Sequence, residues 1–195
     1  NGVANSTVYG GIAGDVMAAD AQKMGALHDP DETILDEELA RAIIPFSAKS
    51  GNVHELRVRL MDAMWDDVGV MRDAAGLKLG IEKIASLKTD MENVGVSADN
   101  LAFNLSWHDW LSLQSLIDTS EVIAKAGLSR ENSRGAHFRE DFPDAGSLDD
   151  SYFTIATSGD KGIEVNREAV KFTIVKPGES LLGADEAETL VEAAQ

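Results

Sequence analysis

The stretch Val53-His54-Glu55-Leu56-Arg57-Val58-Arg59-Leu60-Met61-Asp62-Ala63-Met64-Trp65-Asp66-Asp67-Val68-Gly69-Val70-Met71-Arg72 sets the architecture. Its apolar residues Val53, Leu56, Leu60, Met64, Val68 and Met71 recur at steps of three or four, which places them on one face of a helix. The pattern returns twice downstream. Over residues 75–94 the series is Leu77, Ile81, Ile84, Leu87, Met91 and Val94. Over residues 100–128 it is Phe103, Trp107, Leu111, Leu113, Leu116, Ile117, Val122, Ile123 and Ala126. Three amphipathic helices with short connections predict a mainly α fold built on a three-helix antiparallel bundle.

Upstream, residues 5–26 read as a helix that Asn5, Ser6 or Thr7 could cap. Gly10, Gly11, Ala13, Gly14, Ala18 and Ala19 leave little side chain on its surface. A Gly inside a helix costs about 1 kcal/mol relative to Ala. Three of them within five residues predict close backbone approach to a neighbour, one lying outside this chain. Pro30 and the acidic residues around it break the helix, and residues 36–45 predict a short one ending at Pro45.

Downstream, residues 129–150 are polar and irregular. Tyr152–Thr157, Ile163–Asn166 and Val170–Val175 read as strands, the first two joined by a turn at Ser158–Gly162. A small terminal β segment follows from this. Residues 183–195 are acidic and Ala-rich, either a terminal helix or a disordered tail.

The chain of 195 residues is long enough to bury a core without disulfides or metals. It has 17 Lys and Arg against 34 Asp and Glu, a formal charge of −17. That argues against nucleic acid or an anionic membrane surface as the main partner. The absence of cysteine excludes disulfides, thiolate metal sites and a Cys nucleophile within these residues. No apolar run has the length of a membrane span, and the N-terminal residues lack the pattern of a signal peptide.

Few residues read as chemistry. Asp66-Asp67 sit side by side in a helix and do not face each other, so they predict a solvated surface and no acid–base pair. His108 between Trp107 and Trp110 reads as packing, and His28 and His54 have no metal-ligand spacing. Asp29, Asp31 and Glu32 lack the spacing and central Gly of a Ca²⁺ loop. No P-loop or nucleophile-elbow motif occurs. Gly10-Gly11-x-x-Gly14 lies inside a helix and reads as packing. No metal site and no catalytic residue is predicted in this chain.

Two stretches nevertheless resemble a known family. Residues 56–72 are similar to the start of the C-terminal helical domain of succinate dehydrogenase and fumarate reductase flavoprotein subunits. Ser129-Arg-Glu-Asn-Ser-Arg-Gly-Ala-His-Phe-Arg-Glu-Asp-Phe-Pro143 resembles that family's Arg-x-Glu-Ser-Arg-Gly-x-His-x-Arg-x-Asp-x-Pro segment. The family usually has Glu where Asn132 stands, so a charge is missing at that position. Residues 1–14 resemble the last helix of the family's FAD-binding domain, whose N-terminus points at the flavin.

The resemblance implies a division into the last helix of a truncated FAD-binding domain (1–27), a linker with a short helix (28–52), the bundle with its Arg/His loop (53–143), a β-rich segment (144–182) and the tail (183–195). It places Asn1, Gly2 and Val3 on flavin-contacting positions. It makes Arg130, Arg134, His137 and Arg139 candidates for docking against the flavin domain or an iron–sulfur subunit. The same residues read equally as a structural loop whose arginines bind helix-terminal carbonyls.

The implied parent is an FAD-dependent oxidoreductase of electron transport that interconverts succinate and fumarate or a similar dicarboxylate. It would be cytoplasmic, peripheral to the inner membrane through partner subunits. Its dinucleotide fingerprint and substrate residues would lie upstream, so this chain alone is expected to be inactive. L-aspartate oxidase shares part of both motifs but typically ends soon after the second. The alternative is a stand-alone, non-catalytic helical interaction module.

Overall fold

The computed structural model describes residues 2–26, 28–49, 51–159 and 162–180. Asn1 and the acidic tail from Gly183 lie outside the described residues. The chain divides into two compact units, Asn1–Ile43 and Ile44–Gln195.

The first unit holds α1 (Gly2–Met24) and α2 (Glu32–Ile43). α1 starts earlier than its polar residues predict. The Ser6 and Thr7 hydroxyls cap nothing; they donate back to the carbonyls of Gly2 and Val3, one turn earlier in the helix, at 2.9 Å each. A Cβ added at Gly10, Gly11 or Gly14 would meet nothing within 4 Å, and no side chain of α1 is buried. α2 begins where Asp31 accepts from the Thr33 N–H at 2.9 Å, four residues before the predicted start.

The second unit is built on α3 (Val53–Asp66), α4 (Ala74–Met91) and α5 (Leu105–Ser129). Each starts at a side-chain cap. Asn52 accepts from Glu55 N–H at 3.1 Å, Asp73 from Gly76 N–H at 2.7 Å, and Asn104 from Trp107 N–H at 3.0 Å. Leu56, Leu60, Leu77, Ile84, Leu87, Met91, Leu113 and Ile117 meet in one core. Gly80 lets α4 approach closely, because a Cβ there would lie 2.6 Å from Val68 Cγ2.

The sequence pattern runs past both ends of real helices. α3 stops at Asp66, short of the predicted residue 72. A Cβ at Gly69 would sit 2.4 Å from the Trp65 carbonyl, so the chain turns tightly there. Met71–Arg72 form a short strand, β1, parallel to β2 (Phe138–Arg139). α5 starts at Leu105, after residue 100, because the Asn104 amide holds the preceding loop through the carbonyls of Ala98 and Asn100. Phe103, counted from its spacing as core, is instead fully exposed with φ 55°. Trp110 is the buried indole, donating to the Val94 carbonyl at 2.7 Å.

Residues 45–49 are stitched to the end of α4. Gly95 N–H donates to Lys49 O at 2.7 Å and Val96 N–H to Pro45 O at 3.1 Å. β3 (Tyr152–Gly159) and β4 (Gly162–Ala169) form an antiparallel hairpin, in register from Tyr152–Ala169 to Gly159–Gly162. Residues 170–175, predicted as a strand, join no sheet. No helix among the described residues is long and apolar enough to cross a membrane.

Replacing buried Ile84 by Ala is expected to lower the unfolding free energy by about 2–5 kcal/mol. The same truncation at Ile123, 41% exposed on α5, should change it by about 0.5 kcal/mol or less. Denaturant unfolding of both variants checks the assignment of the core face.

Candidate functional site

The Arg/His segment closes the C-terminal end of α5. The last carbonyls of a helix have no partner within it. Arg139, 1% exposed, supplies one: its Nη1 donates to the carbonyls of Gly127, Leu128 and Arg130 at 2.9, 3.1 and 3.2 Å. Its other edge forks onto Asp141, with Nε and Nη2 each 2.7 Å from a carboxylate oxygen. Asp141 also accepts from the Ala74 N–H at 3.0 Å, joining this loop to the first turn of α4. The Arg139 guanidinium pulls the Asp141 carboxyl down to about 2 from its ordinary 3.8.

His137 lies beside this end cap. Its Nδ1 is 3.0 Å from Arg72 Nη1 and its Nε2 is 3.2 Å from the Arg130 carbonyl. A guanidinium can only donate, so Nδ1 accepts and the proton sits on Nε2, donating to the carbonyl. This is a neutral ring. Burial pushes its pKa below the ordinary value, and the charges of Arg72, Arg130 and Arg139 push the same way.

The remaining arginines are tied to the chain that follows. Arg134 donates to the carbonyls of Ala145 and Ser147 and, at 2.9 Å, to the Ser151 hydroxyl. Arg130 donates through Nε to Asn132 at 3.2 Å and through Nη1 to Thr154 at 3.3 Å, with its guanidinium 5.1 Å from the centre of the Tyr152 ring. Asn132, where the family pattern has Glu, is buried and neutral, and it leaves Arg130 without a carboxylate among the described residues. Arg167 covers the same ring at 4.8 Å and reaches Glu131 and the Ser129 carbonyl.

The structure therefore gathers Arg130, His137 and Arg139 into one cluster and directs Arg134 to residues 145–151. Of the acidic residues in this segment, Asp141 pairs with Arg139 and Glu131 with Arg167. Arg72 belongs to the cluster as well. The apolar spacing predicts the end of a helix there, and the signal that points elsewhere is Gly69, where the chain turns tightly after α3 ends at Asp66. Gly2 and Val3 open α1 in the first unit, with Val3 84% exposed. Asp67 bonds Lys83 at 2.6 Å, an ion pair and not a carboxylate dyad with Asp66.

Comparison with known proteins places this arrangement in a family. The profile described as "Fumarate reductase flavoprotein C-term" matches residues 57–181. An uncharacterized FAD-dependent oxidoreductase of Methanocaldococcus jannaschii is 31% identical over 146 residues, covering 74% of this chain and 25% of that protein. The fumarate reductase flavoprotein subunit of Haemophilus influenzae is 26% identical over 188 residues, covering 95% of this chain and 31% of that one. The chain thus spans between a quarter and a third of the length of these relatives. Among solved structures, the Mycobacterium smegmatis Sdh1 complex in the apo form matches with a TM-score of 0.69 at 27% identity, over 88% of this chain and 30% of that chain. A quinol-fumarate reductase with menaquinol molecules has the same fold, with a TM-score of 0.75 at 22% identity over 85% of this chain and 30% of that one.

Removing Arg139 takes a buried charged donor from the carbonyls of Gly127, Leu128 and Arg130 and leaves Asp141 without its fork partner. Arg139→Met is expected to lower the unfolding free energy by about 2–5 kcal/mol. The depressed His137 pKa means that the unfolded ring, ordinarily at 6.5, takes its proton first. Stability should hold above that value, fall as the pH drops below it, and level off below the folded value. Denaturant titrations across that range should show the slope in the natural sequence and lose it in His137→Gln.

Proposed function

The chain belongs to the family of fumarate reductase flavoprotein C-terminal domains, and from that premise we propose that it is the C-terminal region of a flavin-dependent oxidoreductase acting on succinate, fumarate or a similar dicarboxylate. The supporting observation is the single match over residues 57–181, which runs unbroken through the bundle, the Arg/His loop and the hairpin. The β3–β4 hairpin after Pro143 favours a dehydrogenase or reductase subunit over an L-aspartate oxidase, whose chain typically ends nearer the loop.

FAD, when bound, supplies the hydride chemistry. The residues present here fit one edge of it. α1 opens at Gly2, and the backbone N–H groups of a helix's first turn have no partner within it, so they can face a ligand. The positive end of a helix favours negative charge on a reduced flavin. In this reading Gly2 and Val3 make that contact, together with Asn1. The clefts on the bundle, of about 220, 260 and 290 Å³, are at or below the small end of ligand sites. The rest of the cofactor cradle and the dicarboxylate clamps would come from upstream sequence.

The role of this region is then support. Residues 1–27 complete the flavin domain, residues 28–52 link it to the bundle, and residues 53–143 buttress it. The loop bearing Arg130, Arg134, His137 and Arg139 keeps the bundle end rigid and offers positive charge to the flavin domain or an iron–sulfur subunit. Such a protein would sit at the cytoplasmic side of the inner membrane, held there by partner subunits.

The test compares this chain with the parent protein that carries its natural upstream sequence. The purified parent is expected to carry FAD and to reduce fumarate or oxidise succinate with an artificial dye. The chain alone, mixed with FAD, is expected to do neither. A parent that folds without flavin, or turnover by the chain alone, overturns the proposal.

A further inference from the structure

Arg72 is half-buried and makes no ion pair with a carboxylate among the described residues. In a chain with 34 Asp and Glu against 17 Lys and Arg, a cation left without an acid in reach is informative. Its side chain is nevertheless fixed. Nε donates to the carbonyls of Val68 and Gly69 at 2.9 and 2.8 Å, and one N–H of Nη1 goes to His137 Nδ1 at 3.0 Å. The other N–H of Nη1 and both N–H groups of Nη2 have no acceptor among the described residues. One N–H from each of two adjacent guanidinium nitrogens is the fork that grips a carboxylate in a plane.

The surroundings favour an anion. The charge of Arg139 is neutralised by Asp141, and Arg130, whose backbone carbonyl meets His137 Nε2, has no carboxylate among the described residues. Arg72, which donates to the neutral His137 ring, therefore keeps its charge uncompensated among the described residues. The flexible cost of ordering Arg72 is already met by the Val68, Gly69 and His137 contacts, so a ligand meets a preorganised donor. Along β1 and its partner strand, Met71 and Phe138 are exposed and opposite each other, 65% and 38% respectively, next in sequence to Arg72 and His137.

We propose that Arg72, with His137 beside it, is a binding site for one carboxylate group. The exposed Met71 and Phe138 favour a carboxylate that arrives on a protein surface, namely a side chain of the polypeptide upstream of this chain in the parent. A free carboxylate ligand is the other source of the same chemistry. Only the assignment to the upstream polypeptide rests on the function proposed above; the site itself does not.

Formate is the probe. Added to the 195-residue chain at constant ionic strength, with chloride as the reference, it should shift the Arg72 and His137 side-chain NMR signals in a saturable way. A bound carboxylate offsets the guanidinium charges on the ring, so the His137 midpoint should rise toward 6.5. Arg72→Lys keeps the charge and loses the fork, and should weaken formate binding about tenfold. Arg59→Gln, at an exposed ion pair with Asp90, should leave it unchanged.

The parent protein separates the two sources. If an upstream side chain occupies the fork, formate no longer shifts these signals in the parent; if the ligand is free, it still does. The absence of a saturable shift in the folded chain overturns the site, and so does formate binding that is unchanged in Arg72→Lys. A parent without flavin overturns the proposed function and leaves the formate result standing.

Discussion

A helix that ends inside a protein must find donors for its last carbonyls, and the structure turns on how α5 meets that demand. Its end is covered by the buried guanidinium of Arg139, where many helices use a Gly cap. One nitrogen serves three carbonyls while the opposite edge grips Asp141, and Asp141 in turn holds the first turn of α4. Two helices of the bundle and a strand pair are tied to one planar, permanently charged group. The loop that follows is arranged around it: Ser133, Arg134 and His137 each satisfy backbone groups of the same segment.

The electrostatics of the molecule follow from that device. A chain with a net charge of −17 concentrates cations at one end of its bundle. Arg139 is neutralised on site. Arg72 and Arg130 are held by carbonyls, hydroxyls and an imidazole, none of which carries charge. Uncharged partners orient a guanidinium without cancelling its charge. The structural reading of this loop is therefore compatible with the docking proposal, since Arg139 is consumed inside the fold and Arg72 and Arg130 are not paired with a carboxylate among the described residues.

The two units place unlike demands on their residues. The bundle buries its apolar face and uses glycine where backbones or side chains come close, as at Gly80 against Val68 and Gly95 against the carbonyls of Pro45 and Ala48. α1 carries four glycines, and a Cβ at any of them would meet nothing within 4 Å. Glycine in a helix interior is unfavourable unless something packs on it. That contrast is what the proposal of α1 as a contact element for upstream sequence would explain.

Much of this was legible in the residues alone. The three helices are written in apolar spacing at steps of three and four, and the family in the unlike residues of 56–72 and 129–143. Periodicity is a local signal, and it continued where the chain did not: through Gly69 to Met71, and back through Phe103. Both ends were set by contacts made at a distance in sequence or by side-chain caps, which carry no periodic mark. The clustering of arginines near His137 was visible, but not which would be consumed. Sequence by itself determined the apolar faces of α3 and α4 and the types of charge available. On α5 the buried face runs through Trp110, Leu113, Ile117, Ser120, Ala124 and Gly127, and Phe103, Leu116 and Ile123 of the predicted series are exposed. Tertiary structure alone decided that Arg139 is buried at a helix end, that Asp141 neutralises it, and that Arg72 comes from another element to lie beside His137. The reason is geometric: a guanidinium's partners depend on which carbonyls and carboxylates the packed helices bring within 3 Å of it.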